Sequence, residues 1–258
     1  IVSVDYDKLE PSNRSRVVGS KWWHAPAFLL NSRFAVLKKL GVRLSRYKVH
    51  IGEQVAKDAN PNVKYEAIVG SVSQEAVALR IKDADFIFLA ADSMESRLVF
   101  NALVHQFLIA GVEIGSKVST DRSSGEITDI FCVSRPVIPQ PEGGCLWCNQ
   151  LISASKLQEE ALTKEARKQQ KYVDDVTVSS PSVITLNALG AAQAANEFLF
   201  SIVGLHAGEV LTPNGRMVTP RERKWVKCQY GAEPGCLHCG EGPSSAYARG
   251  DGWCLPCK

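Results

Sequence analysis

The sequence predicts an α/β fold whose central sheet begins with parallel strands and ends with antiparallel ones. Short apolar runs alternate with helical patterns over the first half of the chain, and the run from Phe86 to Ala91 has the length and unbroken hydrophobicity of a buried parallel strand. From Val112 onward the pattern changes to two hairpin-like strands, residues 112–118 and 127–133, joined by a turn at Ser123-Ser124-Gly125. These two patterns together indicate a mixed sheet.

The remaining elements follow from local patterns. Residues 1–4 and 63–69 are predicted strands, and helical patterns cover residues 28–40, 47–59, 74–81 and 94–110. The charged residues 155–172 predict an exposed crossover segment, and an apolar helix is expected to follow Ser182. Pro213-Asn214-Gly215 predicts a tight turn between two short strands.

Composition restricts the class of protein. With 258 residues, 45% of them hydrophobic, the chain can bury one large core, or one core plus a small appendage. A net charge of +3 with scattered basic residues argues against a nucleic-acid surface. The longest apolar stretch, residues 183–205, is interrupted by polar residues and therefore predicts a buried helix rather than a membrane span. We expect neither nucleic acid nor a membrane as a partner.

Cysteine usage indicates metal binding in a reducing cytoplasm. Six of the eight cysteines form three Cys-x-x-Cys pairs, and a chain of this length does not need disulfides to stabilise its core. The sequence shows no signal-peptide pattern and opens inside an apolar strand. We therefore expect a cytoplasmic protein in which a further segment precedes residue 1.

Polar residues follow the predicted strands at characteristic spacings. Function is expected at the carboxyl ends of parallel strands, where Asp5 and Asp92 both lie. Lys48 stands twelve residues before Asn60-Pro61, in a predicted helix. Three groups complete the pattern in chain order: Asp5-Tyr6-Asp7, Ser12-Asn13 with Arg16, and Asp92 with Arg97 and Asn101. The ordered set resembles the ThiF/MoeB/HesA family of ubiquitin-activating-like adenylyltransferases, over nearly the whole chain.

The resemblance implies a Rossmann-like, three-layer adenylation domain over residues 1–227, with residues 150–178 as its crossover segment, and a Cys-rich, zinc-binding tail over residues 228–258. The family's first strand and Gly-rich loop are expected to precede residue 1. The implied activity is ATP-dependent adenylylation of the C-terminal carboxylate of a ubiquitin-like or sulfur-carrier protein ending in Gly-Gly. The family is also usually homodimeric, and Trp22-Trp23 and the apolar helix after Ser182 are candidate contact surfaces.

The resemblance further implies roles for single residues. Attack of a carboxylate on ATP brings anions together, so the site must supply positive charge and a metal ion. The implied nucleotide-site residues are Asp5 for the ribose, Asp7 beside it, Asn13, Arg16 and Lys48 for the phosphates, and Asp92 for Mg²⁺. Lys21 is an alternative to Lys48, because the stretch from Arg16 to Lys48 is longer than usual in the family. The spacing of Lys48 to Asn60-Pro61 favours Lys48.

The three Cys-x-x-Cys pairs leave two arrangements open for a structural zinc site. Two such pairs supply the four soft, tetrahedral ligands that zinc prefers. By resemblance the ligands are Cys145, Cys148, Cys236 and Cys239. The alternative is a local site in which Cys254 and Cys257 join Cys236 and Cys239. The long-range set is favoured, since the first pair would otherwise have no partner.

Many relatives form a thioester on a cysteine just after the crossover segment. Residues 174–182 contain no cysteine here. Cys132 lies in an apolar strand and is expected in the core, and Cys228 precedes the zinc pair. We therefore expect adenylylation with the thioester step doubtful. The alternative function is a non-catalytic scaffold that binds a ubiquitin-like partner, and a nicotinamide-dependent oxidoreductase is weaker, because Arg16, Lys48 and Asp92 have no role in hydride transfer.

Overall fold

The computed structural model describes residues 1–121, 124, 126–140, 143–161, 183–206 and 214–258. These residues form two compact units, Ile1–Ile81 and Lys82–Lys258, and each unit is described by itself. Among the described helices, none combines the length and the hydrophobicity that crossing a bilayer requires.

The first unit contains two parallel strands connected through helices. Strand β1 (Val2–Val4) pairs in parallel with β2 (Glu66–Ile68). The helices are α1 (Ala27–Leu30), α2 (Ala35–Leu44), α3 (Lys48–Ala59) and α4 (Glu75–Ile81). The core of the unit forms where Ile51 of α3 packs against Leu9 and Ala25. Strand and helix therefore alternate as the sequence predicts, although both strands are short.

The helix predicted over residues 28–40 is instead two helices, α1 and α2, with a break between them. The hydroxyl of Ser32 accepts a hydrogen bond from the backbone N–H of Phe34 (3.2 Å) inside this break. Gly41 of α2 lies so close to α1 that a Cβ atom on it would be 2.9 Å from the Cβ of Leu29. The break therefore allows a close helix pair, which glycine alone permits at this point.

The second unit is built on a five-stranded mixed sheet in the order β3-β4-β5-β6-β7. The strands are β3 (Ile87–Leu89), β4 (Gly111–Thr120), β5 (Ile127–Val137), β6 (Gly215–Thr219) and β7 (Lys224–Cys228). β3 and β4 are parallel, and each later pair is antiparallel. The predicted change from parallel to antiparallel pairing is confirmed.

Helix α5 (Met94–Phe107) is the central helix of the second unit. Ser93 caps its first turn by accepting a hydrogen bond from the N–H of Ser96, and Leu108, directly after the helix, adopts a left-handed conformation (φ 60°). Phe100 and Val104 on this helix pack in one cluster with Leu89 of β3 and Val137 of β5. This packing holds α5 against β3 and β5 of the sheet.

Two further helices, α6 (Ala154–Ala161) and α7 (Ile184–Val203), complete the unit. Leu186 of α7 packs on the sheet beside Val118 and Cys132, but the last turns are exposed, with Ile202 67% exposed. The apolar helix is thus buried only in part, contrary to the sequence prediction. α6 is the start of the predicted crossover segment; its remainder, and the stretch 174–182, lie outside the described residues.

The turn expected at Pro213-Asn214-Gly215 lies only partly within the described residues. Gly215 is the first residue of β6, while Pro213 lies outside the described residues. The hairpin of β6 and β7 turns at residues 220–223, where the N–H of Arg223 donates to the carbonyl of Pro220 (3.3 Å) and Arg223 adopts a positive φ of 54°.

Candidate functional site

The first unit brings a lysine and two aspartates together at the end of β1. The backbone N–H of Asp5 donates to the carbonyl of Ile68, which extends the strand pairing (3.2 Å), and the Asp5 carboxylate accepts from the N–H of Asp7 (2.8 Å). Lys48 is the first residue of α3, and its Nζ lies 2.6 Å from Asp7 Oδ2 and 4.0 Å from Asp5 Oδ2. Three of the residues singled out by the sequence therefore meet.

Asn13 and Arg16 lie together in a short 3-10 helix, Pro11–Arg16. The Arg16 guanidinium donates to the Asn13 side-chain oxygen (2.5 Å). Lys21, the alternative to Lys48, stands over the ring of Trp23, with Nζ 5.2 Å from the ring centroid. Lys48 therefore lies beside two carboxylates, whereas Lys21 lies over an aromatic ring.

In the second unit, Asp92 follows β3 by a short loop and precedes α5. Its side chain is exposed and has no hydrogen bond or ion pair within the described part of the chain. Arg97, one turn into α5, binds the buried carboxylate of Glu113, and the Asn101 side-chain oxygen accepts from the N–H of Leu146 (2.9 Å). Asn101 therefore positions the loop that carries the first cysteine pair.

Four cysteines converge in the second unit. The sulfur atoms of Cys145, Cys148, Cys236 and Cys239 all lie within 4.8 Å of one another. The Sγ–Sγ separations are 3.7 Å between Cys145 and Cys148, 3.8 Å between Cys145 and Cys236, and 3.5 Å between Cys148 and Cys239. Zinc–sulfur bonds of about 2.3 Å in a tetrahedron place the sulfurs roughly 3.8 Å apart. The geometry therefore fits a zinc site with four cysteine ligands.

Backbone donors, thiol hydrogen bonds and burial shift the pKa values of the clustered cysteines in opposite directions. The N–H groups of Cys148, His238 and Glu233 point to the sulfurs of Cys145, Cys236 and Cys148. The hydrogen bond from the Cys239 thiol is the main cause that lowers the pKa of Cys145 to about 5. Burial raises the pKa of Cys148 to about 11, and the bond that Cys239 makes to Cys145 raises the pKa of Cys239. A divalent cation would supply the charge that lets all four ionise.

The other cysteines lie outside this cluster. Among the described residues, these four cysteines form the one group of metal-binding side chains, so the arrangement with Cys254 and Cys257 is not the one adopted. Cys132 is fully buried, and burial raises its pKa, as expected of a core thiol. Cys228 is half-buried at the end of β7.

The contacts of two carboxylates, Glu113 and Glu160, were not predicted from the sequence. The carboxylate of Glu113 is fully buried between Arg97 and Arg135, and Arg135 Nε also donates to the hydroxyl of Tyr230 (3.0 Å). Glu160 of α6 accepts hydrogen bonds from the N–H groups of Met94 (2.9 Å) and Glu95 (3.0 Å) at the start of α5. The position of a glutamate among the apolar residues of β4 could have indicated that Glu113 has a buried cationic partner. No local pattern in the sequence indicates the contacts of Glu160.

Solved structures show the same fold. E. coli MccB bound to ATP matches with a TM-score of 0.60 and 15% identity, over 93% of this chain and 58% of that one. The microcin C7 biosynthetic enzyme MccB in complex with N-formylated MccA matches with a TM-score of 0.63 and 15% identity, over 93% and 60%. PaaA matches with a TM-score of 0.56 and 15% identity, over 88% and 63%. The chain thus spans about three-fifths of the length of these proteins.

The family comparison is more specific than these structural matches. No curated protein sequence matches the chain, and at 14–15% identity the solved structures show the fold alone. The model of the ThiF family matches residues 32–236, which include Lys48, Asp92 and three of the four clustered cysteines, the third being the last residue matched. Because this match covers most of the sequence, the chain belongs to the ThiF family.

Proposed function

We propose that this ThiF-family chain adenylylates the C-terminal carboxylate of a ubiquitin-like or sulfur-carrier protein that ends in Gly-Gly, using ATP and releasing pyrophosphate. The observation that carries the proposal is the meeting of Lys48 with Asp5 and Asp7 at the end of β1. That E. coli MccB has been crystallised with ATP supports nucleotide binding by this fold.

Lys48 and Arg16 supply positive charge for the phosphates. The side chain of Lys48 is 26% exposed and that of Asp7 is 50% exposed, so water reaches their ion pair. An exposed pair of this kind contributes only about 0–1 kcal/mol, and exchanging Asp7 for a phosphate oxygen therefore costs little. Arg16 donates to the side-chain amide of Asn13, a neutral partner that does not offset a positive charge.

Asp5 and Asp92 serve different parts of the substrate. Asp5, at the end of β1, would accept hydrogen bonds from the ribose hydroxyls, as an acidic residue does in other Rossmann-like folds. Asp92 is exposed and has no ion-pair partner in the described residues, which fits a carboxylate that holds Mg²⁺. A bound Mg²⁺ supplies charge neutralisation for the departing pyrophosphate.

The reaction is an in-line displacement at the α-phosphorus. One oxygen of the carrier's terminal carboxylate forms a bond to the α-phosphorus of ATP, and the bond between that phosphorus and the α–β bridging oxygen breaks. Pyrophosphate leaves with the electron pair, and the carrier is left as an acyl-adenylate. The proposal does not include a thioester step, because residues 174–182 contain no cysteine.

The test is ATP–pyrophosphate exchange by the full-length protein, with and without a carrier protein ending in Gly-Gly. Exchange should require the carrier, and Lys48→Ala or Asp92→Asn should lower it by about 10²–10³-fold, the usual cost of removing one charge-stabilising group. Lys21→Ala is the matched control and should keep wild-type exchange, because Lys21 lies over Trp23. Carrier and zinc binding without any exchange would overturn adenylylation and support the scaffold instead.

The proposal also includes a homodimer. Trp22 and Trp23 are 64% and 51% exposed, and Ile202 and Val203 of α7 are 67% and 63% exposed, which is unusual for large apolar side chains without a partner. Light scattering after gel filtration should give the mass of two 28.2 kDa chains. A single-chain mass at every protein concentration would contradict the dimer, and Trp22→Ser with Trp23→Ser tests whether the tryptophans form the contact.

A further inference from the structure

The third Cys-x-x-Cys pair stands apart from the zinc cluster, in the segment Trp253-Cys254-Leu255-Pro256-Cys257-Lys258. Both cysteines are thiols, and neither belongs to the four-cysteine group. The proposed adenylylation does not use them. The pair therefore calls for its own chemical explanation.

Helix α5 holds this segment at both ends. Gln106 is 1% exposed, and its Nε2 donates to the carbonyls of Gly250 (2.7 Å) and Trp253 (2.6 Å). On the other side of the pair, Lys258 Nζ lies 2.5 Å from Glu95 Oε1 in the first turn of α5. The buried Gln106 side chain therefore anchors the segment just before Cys254, and an exposed ion pair to the same helix follows Cys257.

A tight turn separates the two thiols. The N–H of Cys257 donates to the carbonyl of Leu255 (2.8 Å) across Pro256, whose ring fixes its φ angle. Cys254 is exposed and Cys257 is half-buried. One thiol therefore faces solvent while the second stays three residues away in a restrained backbone.

We propose that Cys254 and Cys257 form a dithiol that exchanges with external disulfides. The exposed thiol is accessible to an incoming disulfide, and the second, three residues along the same segment, can attack the mixed disulfide once it has formed, as thiol–disulfide exchange requires. Within the described residues no third metal-binding side chain joins the pair, whereas a structural zinc site needs four. Exchange therefore accounts for this pair better than metal binding.

The exchange consists of two balanced steps. The Cys254 thiolate attacks one sulfur of R–S–S–R. A bond forms between Cys254 Sγ and that sulfur, giving the mixed disulfide Cys254–S–S–R, and the original S–S bond breaks so that R–S⁻ leaves and takes up a proton. Cys257, as thiolate, then attacks the Cys254 sulfur, forms the Cys254–Cys257 disulfide and releases the second R–S⁻. Two protein thiols are oxidised, and the external disulfide is reduced to two thiols. The tethered second thiol has an effective concentration on the order of millimolar or more, which favours the second step.

The test is a trapping experiment on the zinc-loaded, full-length protein with glutathione disulfide, followed by intact-mass and peptide mass spectrometry. The wild type should form an internal disulfide and lose two thiols, with no lasting adduct. Cys257→Ser should accumulate a single glutathione adduct on Cys254, and Cys254→Ser should form neither product. Cys228→Ser, which changes a half-buried cysteine outside the pair, is the control and should behave like the wild type. Insulin in place of glutathione disulfide shows whether protein disulfides also react.

Three results would overturn the proposal. The first is Cys254→Ser reacting like the wild type, and the second is a Cys257→Ser adduct on a cysteine other than Cys254. The third is a second zinc per chain that Cys254→Ser removes, which would make the tail a metal site. None of these measurements uses ATP–pyrophosphate exchange. The dithiol proposal is therefore tested independently of the proposed adenylylation.

Discussion

Replacing Cys148 with serine is expected to release zinc from the second unit and to lower its melting temperature by roughly 10–20 °C. Apparent zinc binding at structural sites contributes about 10 kcal/mol or more. If half of this free energy is lost, the loss is about 5 kcal/mol. The melting temperature of a chain of this size falls by roughly 2–4 °C for each kcal/mol lost, which gives the expected decrease of roughly 10–20 °C. Cys148 is 7% exposed and contacts Cys145 and Cys239. Serine at this position therefore leaves only three cysteine ligands for the zinc ion.

The measurement is zinc content by plasma mass spectrometry, together with thermal unfolding in the presence and absence of a chelator. Cys254→Ser is the matched control, because it removes an exposed thiol from a Cys-x-x-Cys pair outside the cluster. It should retain zinc and the wild-type melting temperature. A Cys148→Ser protein that keeps its zinc and melts with the wild type would contradict the site.

The spacing of the cysteines left two possible sets of zinc ligands, of which the long-range set was favoured only because the first pair would otherwise have no partner. Spacing identifies the pairs, yet it does not say which two pairs meet in space. The structure brings the first two together through a close backbone approach: a Cβ on Gly144 (φ 65°) would lie 2.2 Å from the carbonyl oxygen of Gly231. Such long-range contact between two glycine-containing loops leaves no periodic signal in the chain.

The fold was predictable where one local pattern decides the structure. The apolar run at β3, helix α5 and the β4–β5 hairpin all appear as the periodicity indicates. The predicted helix over residues 28–40 failed, since the close approach of Gly41 to Leu29 requires a bend that helix propensity does not encode. Tertiary packing overrides propensity in such places.

In the polar site, only the residues that belong to the family's spaced motifs could be predicted from the sequence. The resemblance singled out Asp5, Asp7 and Lys48 together, and the structure brings them into contact across 41 residues of sequence between Asp7 and Lys48. Glu160 meets the start of α5 across 66 residues, and no spacing rule connects the two. Single-sequence reasoning found the residues that belong to a pattern and missed those that a tertiary contact alone defines.

Glu113 is the most deeply buried charge of the second unit's described residues. It lies on β4 directly opposite Arg135 of β5, is fully buried, and contacts both Arg135 and Arg97, whose Nη2 is 3.0 Å from Glu113 Oε1. The side chains of the two arginines are only 14% and 19% exposed. The carboxylate therefore offsets two guanidinium charges that water reaches poorly.

Glu113→Gln keeps the shape of the side chain but removes its charge, and should lower the free energy of unfolding by about 3–5 kcal/mol, the cost of leaving a buried charge without its partner. Chemical denaturation measures this loss. Glu66→Gln is the control, because its pair with Arg80 is short (2.6 Å) but nearly half exposed, and should cost less than about 1 kcal/mol. Changing Arg135 to Gln as well should recover part of the stability that Glu113→Gln loses, since one of the two unpaired charges is then gone. Equal losses for Glu113→Gln and Glu66→Gln would show that the buried carboxylate does not stabilise the fold through its charge.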